Sequence, residues 1–190
     1  MEIRIHHLSK KYQDMWVLKE VNAVLKEGGI YCLTGASGSG KTTLLHILMG
    51  IVKPDKGSVE GMERVRIGAV FQENRLCENL SPLRNILMVC PKKTDEQEVR
   101  FHMEQILPAE CQDRPVSELS GGMKRRAAVL RAVLSDTDLL IMDEPFTGLD
   151  ENTRLKVIEY ILSNLRGRTL VVSTHQREDT VLLGAEVINM

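Results

Sequence analysis

Gly35-Ala36-Ser37-Gly38-Ser39-Gly40-Lys41-Thr42 follows directly on the apolar run Ile30-Tyr31-Cys32-Leu33. It precedes Leu44, Leu45, Ile47 and Leu48, whose spacing gives the next segment one apolar helical face. A strand, then G-x-x-x-x-G-K-[ST], then a helix is a phosphate-binding loop. The residue types follow from what a triphosphate requires. Glycines let backbone N–H groups approach phosphate oxygens with no Cβ in the way. The helix opening near Lys41 turns the positive end of its dipole toward the anion. Lys41 supplies a point charge for the outer phosphates, the Thr42 hydroxyl is placed to bind Mg²⁺, and Thr43 can add a further hydroxyl contact. Gly35–Thr43 is therefore expected to hold a nucleoside triphosphate, with Gly50 ending the helix.

At 190 residues the chain is expected to form one domain with a substantial core. The 25 Lys and Arg against 26 Asp and Glu leave a net charge of -1, which gives no bulk attraction to nucleic acid or acidic lipid. Aromatic residues are 4% of the chain, too few to advertise base stacking, so no nucleic-acid partner is expected. Cys32, Cys77, Cys90 and Cys111 form no CxxC pair and read as reduced cytosolic thiols. Met1-Glu2-Ile3-Arg4 lacks a secretory pattern. No apolar run approaches the roughly 18 residues of a spanning helix, so work at a membrane requires a separate anchor.

Strand character is expected at Glu2–Leu8, which alternates poorly, at Val21–Lys26 with Val21, Ala23 and Leu25 on one face, and at Ile30–Thr34. Pro54-Asp55-Lys56-Gly57 reads as a turn, and Arg64–Phe71 as a strand ending at Gln72. Residues 74–136 then read as helical. Thr94-Asp95-Glu96-Gln97 is a capping box opening a helix to about Leu107, and a second helix follows Gly122. Strand character returns at Asp138–Met142, followed by a helix from Glu151 to Leu165 with Asp150 as N-cap and Gly167 near its end. Leu170–Ser173 and Val187–Met190 close the chain as strands. The alternation predicts an α/β domain with a mostly parallel sheet, a core of 1–73 and 137–190, and a helical insertion over 74–136.

Leu139-Leu140-Ile141-Met142 ends in Asp143-Glu144, and strand alternation aims the two carboxylates differently from the sheet edge. Asp143 is the better Mg²⁺ partner and Glu144 the better group to polarise an attacking water. Leu119-Ser120-Gly121-Gly122-Met123 opens a helix whose glycines expose N–H groups to an anion. Lys124, Arg125 and Arg126 add positive charge at the end where the helix dipole is already positive. An anion docked there would reverse that disadvantage; the alternative is a solvated basic face.

In this order the motifs resemble the signature set of ABC-type ATPases, along essentially the whole chain. The resemblance implies a P-loop NTPase of ABC type with a small antiparallel β portion beside the parallel core. It implies ATP and Mg²⁺ as ligands. Tyr12 matches the aromatic that stacks on adenine, and Gln72 the Q-loop glutamine, a catalytic and metal contact. Glu144 stands as the catalytic base and His175, in Ser173-Thr174-His175, as the switch histidine at the γ-phosphate. Phe146-Thr147-Gly148-Leu149-Asp150 matches the D-loop, which puts Asp150 at a dimer seam. The family pairs head to tail, so each ATP would lie between Gly35–Thr43 of one copy and Ser120, Gly121 and Gly122 of the other. The expected partners are a second ATPase subunit, as a homodimer, and integral membrane permease subunits that hold the protein at the cytoplasmic face. In the family a cytoplasmic coupling helix of the permease meets the groove beside the Q-loop, here Glu73–Val89; Leu76, Leu80, Leu83, Ile86 and Leu87 fit the helical portion's own core better.

Met123 stands where the family carries glutamine, which removes a donor to ribose or phosphate. With Phe71–Leu76 it is similar to nitrate, sulfonate and taurine-type importer ATPases, while a methionine signature also occurs in lipid-trafficking relatives. The short segment between Lys41 and Gln72 predicts a reduced antiparallel portion. A soluble ABC-type ATPase that remodels or scaffolds a complex without transport is the alternative. A P-loop kinase would explain Gly35–Thr42 but neither Leu119–Met123 nor His175.

Overall fold

The computed structural model describes residues 2–190, which form two compact units. One comprises the chain up to Ile67 together with Asp138–Asp143 and Gly167–Met190. The other comprises Gly68–Thr137 and Glu144–Arg166.

In the first unit β1 (Glu2–Tyr12) pairs antiparallel with β2 (Met15–Lys26). Ile3 and Ile5 are buried. At His7 φ turns to 45° and the register with β2 shifts between Ile5 and Leu8, so Leu8 re-enters the core out of phase. This bulge is the reason the sequence alternates poorly there. A two-residue turn, with Gln13 at φ 53°, joins the strands, which makes β2 longer at its start than the expected Val21–Lys26. β4 (Lys56–Glu60) lies on the other side of β1. A Cβ at Gly57 would fall 2.2 Å from the His6 carbonyl oxygen, so only glycine lets β4 approach the bulge. The turn expected over Pro54–Gly57 thus stops at Asp55, whose carboxylate accepts from the Lys11 amide at 2.8 Å. These three strands are the small antiparallel portion.

The parallel strands of this unit are β3 (Ile30–Thr34), β6 (Leu139–Asp143), β7 (Thr169–Ser173) and β8 (Glu186–Asn189), in the order β6-β7-β3-β8. Every residue of β6 and β7 is buried, as strands covered on both faces require. Helix α1 (Lys41–Leu48) puts Leu44, Leu45 and Leu48 into one core with Ile3, Leu18, Leu33 and Leu139. Each such leucine stabilises the fold by roughly 1.5–3 kcal/mol. Helix α6 (Arg177–Leu182) has no counterpart in the sequence reading; it is short and opens at Gln176 without a side-chain cap.

β5 (Ile67–Val70) carries the chain into the second unit. There α2 (Pro82–Leu87), α3 (Glu96–Ile106), α4 (Gly121–Leu134) and α5 (Glu151–Ser163) are each opened by a side-chain cap from Ser81, Asp95, Ser120 and Asp150. At α3 the cap is Asp95 rather than the Thr94 of the expected box. Its carboxylate accepts from the Gln97 amide at 3.1 Å and, being charged, also meets the positive end of the dipole. The division also differs from the expected 74–136 insertion. Glu144–Arg166 falls in the helical unit because α5 packs on α3, with Tyr160 Oη 3.3 Å from His102 Nδ1.

Candidate functional site

In the first unit the strand register sets the site. Leu33, Ser173 and Asp143 are neighbours across β3, β7 and β6, so all three strands end at one level. Gly35–Gly40 leaves β3 there, and ligands of open α/β sheets bind at that carboxyl edge. Gly40 caps α1 at φ 97°, and a Cβ on it would meet Leu18 Cδ2 at 2.6 Å and the Val17 carbonyl oxygen at 2.9 Å. The loop is therefore pressed on β2 at Gly40; Ala36, Ser37 and Gly38 are exposed, while the Ser39 hydroxyl is buried without a protein partner. Lys41 is buried, and its Nζ donates to the carbonyls of Gly35 at 2.8 Å and Ala36 at 3.0 Å, which holds the charge inside the cradle. Thr42 and Thr43 follow on the first turn of α1, both half-buried.

Asp143 is 1% exposed. Its Oδ1 accepts from the Ser173 hydroxyl at 2.5 Å, and its Oδ2 is buried with no protein donor. A buried anionic oxygen left in this way fits a divalent cation, for which carboxylate and hydroxyl oxygens are the preferred ligands. Beyond Ser173, the Thr174 hydroxyl donates to the buried Asp179 carboxylate at 2.5 Å and accepts from the Gln176 amide at 3.1 Å. These two bonds bracket His175, which lines a cavity of about 530 Å³ with Thr34, Gly35, Ala36, Asn189 and Met190. Tyr12 lies at the β1–β2 turn, 46% exposed, with Lys10 Nζ 5.6 Å from its ring centroid.

The second unit holds the remaining residues. Glu144 has φ 49°, a left-handed conformation that costs an L-residue roughly 1–2 kcal/mol. It turns the chain out of the strand, and Thr147 donates to Glu144 Oε2 at 3.2 Å. Gln72 is exposed just past β5. Ser120 Oγ accepts from the Met123 amide at 3.3 Å, nothing lies within 4 Å of where a Gly121 Cβ would be, and a Cβ on Gly122 would meet the Gly148 carbonyl oxygen at 3.3 Å. The signature and D-loop segments are therefore neighbours. Asp150 gives both oxygens to Thr153, accepting from its amide at 3.0 Å and its hydroxyl at 2.7 Å, and these bonds hold the Asp150 carboxyl below its ordinary pKa.

Lys124, Arg125 and Arg126 form neither an anion site nor a solvated face. Lys124 pairs with Glu78 at 2.9 Å, Arg126 donates to the Ile106 carbonyl at 2.8 Å, and Arg125 is buried against the carbonyls of Phe71 and Gln72. Met123 packs its sulfur 3.7 Å from the buried Cys111 thiol, and all four cysteines are free thiols. Leu83 and Ile86 are core residues, whereas Leu80, Met88 and Val89 are exposed. The Ser173–Asp143 and Thr174–Asp179 bonds and the carbonyl partners of Arg125 are not among the expectations from sequence; the run of hydroxyls ending β7 is the signal for the first two.

A glycine-rich loop leaving a parallel strand, a lysine held in its cradle and a buried carboxylate ending a nearby strand define a P-loop nucleoside triphosphatase. The chain belongs to the ABC transporter family, which matches residues 18–147. It is 35% identical to the taurine import ATP-binding protein TauB of Pelagibacter ubique (strain HTCC1062), over 95% of this chain and 73% of that protein. It is 33% identical to the Nod factor export ATP-binding protein I of Azorhizobium caulinodans, over 90% of this chain and 58% of that one. Among solved structures it is similar to the ATP-binding cassette MJ0796, a dimer in a post-hydrolysis state bound to ADP and Pi, with a TM-score of 0.85, 27% identity, and 99% of this chain and 94% of that chain covered. The protein is an ATP-binding, ATP-hydrolysing subunit of an ABC transporter, similar to the taurine importer type, and none of the comparisons favours the remodelling or scaffolding alternative. Among the described residues no helix is long and apolar enough to cross a membrane.

Proposed function

We propose that the chain acts as one half of a head-to-tail ATPase pair at the cytoplasmic face of a separate permease, and that closure of the pair around ATP drives transport. The open N-terminus of α4 carries this reading. Ser120 caps one amide, Gly121 is exposed with clear space around it, and the basic side chains of that turn are engaged elsewhere in the protein. A terminal phosphate held in the Gly35–Thr43 cradle of a second copy supplies the anion that this helix end lacks.

The residue roles follow from the family resemblance and the local chemistry. Tyr12 offers an exposed ring face to adenine. Backbone amides of the loop and Lys41 hold the phosphates, and Glu144 polarises the attacking water. His175 and Gln72 contact the γ-phosphate end. Mg²⁺, held by Thr42, Gln72 and Asp143, supplies positive charge to the outer phosphate oxygens when bound. Asp150, by capping α5, fixes the turn that abuts Gly122 at the seam. Exposed Leu80, Met88 and Val89 offer apolar area to a permease helix, of the taurine, sulfonate or nitrate importer type. Hydrolysis removes the bridging charge, so ATP favours the closed pair and ADP does not.

Glu144→Gln tests this directly. It is expected to retain ATP affinity, lose turnover by about 100-fold or more, and elute as a dimer from a sizing column in ATP but not in ADP. Normal turnover, or an ATP-loaded monomer, removes the proposal.

A further inference from the structure

We infer that Arg125 is the positioning residue for Gln72 and that it makes α4 the lever between the signature end and the Q-loop. β5 ends at Val70, so the carbonyls of Phe71 and Gln72 lie beyond the strand. The guanidinium of Arg125, itself 6% exposed, donates from Nη1 to Phe71 O at 2.6 Å and from Nη2 to Gln72 O. The first carbonyl belongs to the peptide plane before the Gln72 Cα and the second to the plane after it. Holding both fixes φ and ψ at Gln72, and with them the direction in which its side chain leaves the backbone. Gln72 is exposed, so packing around the side chain does not set that direction.

The same segment is fastened at its far end. Arg131, also on α4, donates to the Arg75 carbonyl at 2.9 Å, and the Arg75 guanidinium stacks 3.8 Å from the Phe71 ring centroid. Residues 71–75 are thus riveted to α4 at both ends by arginines of that helix. Ser120, five residues before Arg125, caps the same helix. In the proposed pair the partner's ATP docks at that cap, so any displacement of the first turn of α4 is passed by Arg125 to Gln72. A lysine does not reproduce this grip: its ammonium donates from a single freely rotating point, whereas the guanidinium reaches the two carbonyls from separate nitrogens held at fixed spacing in one plane. The inference rests on the catalytic reading of Gln72 and the signature reading of Ser120–Gly122.

The test compares Arg125→Lys in the wild-type and Gln72→Ala backgrounds, with steady-state ATPase kinetics and amide exchange of the 71–75 segment followed by mass spectrometry. In the wild-type background kcat is expected to fall about 5–20-fold with KM within about twofold, and exchange at 71–75 to quicken. In the Gln72→Ala background the same substitution should change kcat by less than about twofold, because Arg125 acts through Gln72. Arg125→Met, which keeps the apolar stem and buries no charge, is read in the same way if the lysine variant does not fold. Equal fold-losses in both backgrounds, or unaltered exchange, overturn the inference. If Gln72→Ala alone retains full kcat, the catalytic reading of Gln72 is what fails, and exchange at 71–75 then decides whether Arg125 holds the segment.

Discussion

Asp143 has one oxygen bound to Ser173 and the other buried without a protein donor. A buried charge with incomplete compensation destabilises the fold that contains it. Asp143→Asn keeps the acceptor for Ser173 and removes the charge. Its nucleotide-free Tm is therefore expected to rise, by about 2–4 °C for each kcal/mol recovered in a chain of this size, while ATP turnover falls about 100-fold or more. Calorimetry and a phosphate-release assay check both arms; a lower Tm with intact turnover would show that the carboxylate is an ordinary structural group. The sequence disclosed Asp143 and Glu144 because a buried strand ending in two acids is legible locally. The left-handed backbone at Glu144, which takes it out of strand geometry, was not legible, since nothing in the residue type requires it. Arg125 was illegible for another reason. A basic residue in a first helical turn looks the same whether it meets solvent, an anion, or, as here, two carbonyls more than fifty residues earlier in the chain.

A side-chain cap makes a helix start legible only where the sequence around it is unambiguous: Asp150 does so for α5, while Ser81 does not single out α2 within 74–136. Helix α5 begins at Asp150 as its sequence implied, whereas α6 opens without a side-chain cap and went unseen. Strand β1 runs on through Ser9–Tyr12, past the expected end at Leu8, because the shift of register at His7 destroys the period-two pattern that identifies a strand. The Asp150 cap gives an element-scale prediction. The Thr153 hydroxyl and amide lower the pKa of Asp150 in the folded chain. The stabilisation it gives α5 is thus present above the unfolded value of roughly 3.9 and is lost as pH falls through the lower folded value. Asp150→Asn retains a neutral acceptor for the Thr153 amide but cannot titrate. The difference in urea midpoint between wild type and Asp150→Asn should accordingly favour wild type at pH 6 and shrink as pH falls below about 4. A difference that stays constant from pH 6 to pH 3 would mean that charge at this cap contributes nothing.

At the scale of the whole molecule the order of the motifs along the chain was decisive. Loop, Q-loop, signature, paired acids, D-loop and switch histidine are each ambiguous alone, and together they fix the family that the comparisons then show. Where the chain divides was less legible, because the partner of α5 is α3, about fifty residues away, and the helical periodicity of α5 says only that it has a partner. The consequence that reaches furthest concerns association. If each ATP needs the cradle of one copy and Ser120–Gly122 of another, a lone chain holds two half-sites. Turnover per chain at saturating ATP must then rise with protein concentration and level off once pairing is complete, as mass action requires. Ser120→Ala together with Gly121→Ala should move that curve to higher protein concentration without weakening the binding of ATP to the isolated chain, since the loop and Lys41 are untouched. A turnover per chain that stays flat across a hundredfold dilution, in wild type and variant alike, would show that one copy completes the reaction by itself, and the pairing of the two surfaces would then have no part in catalysis.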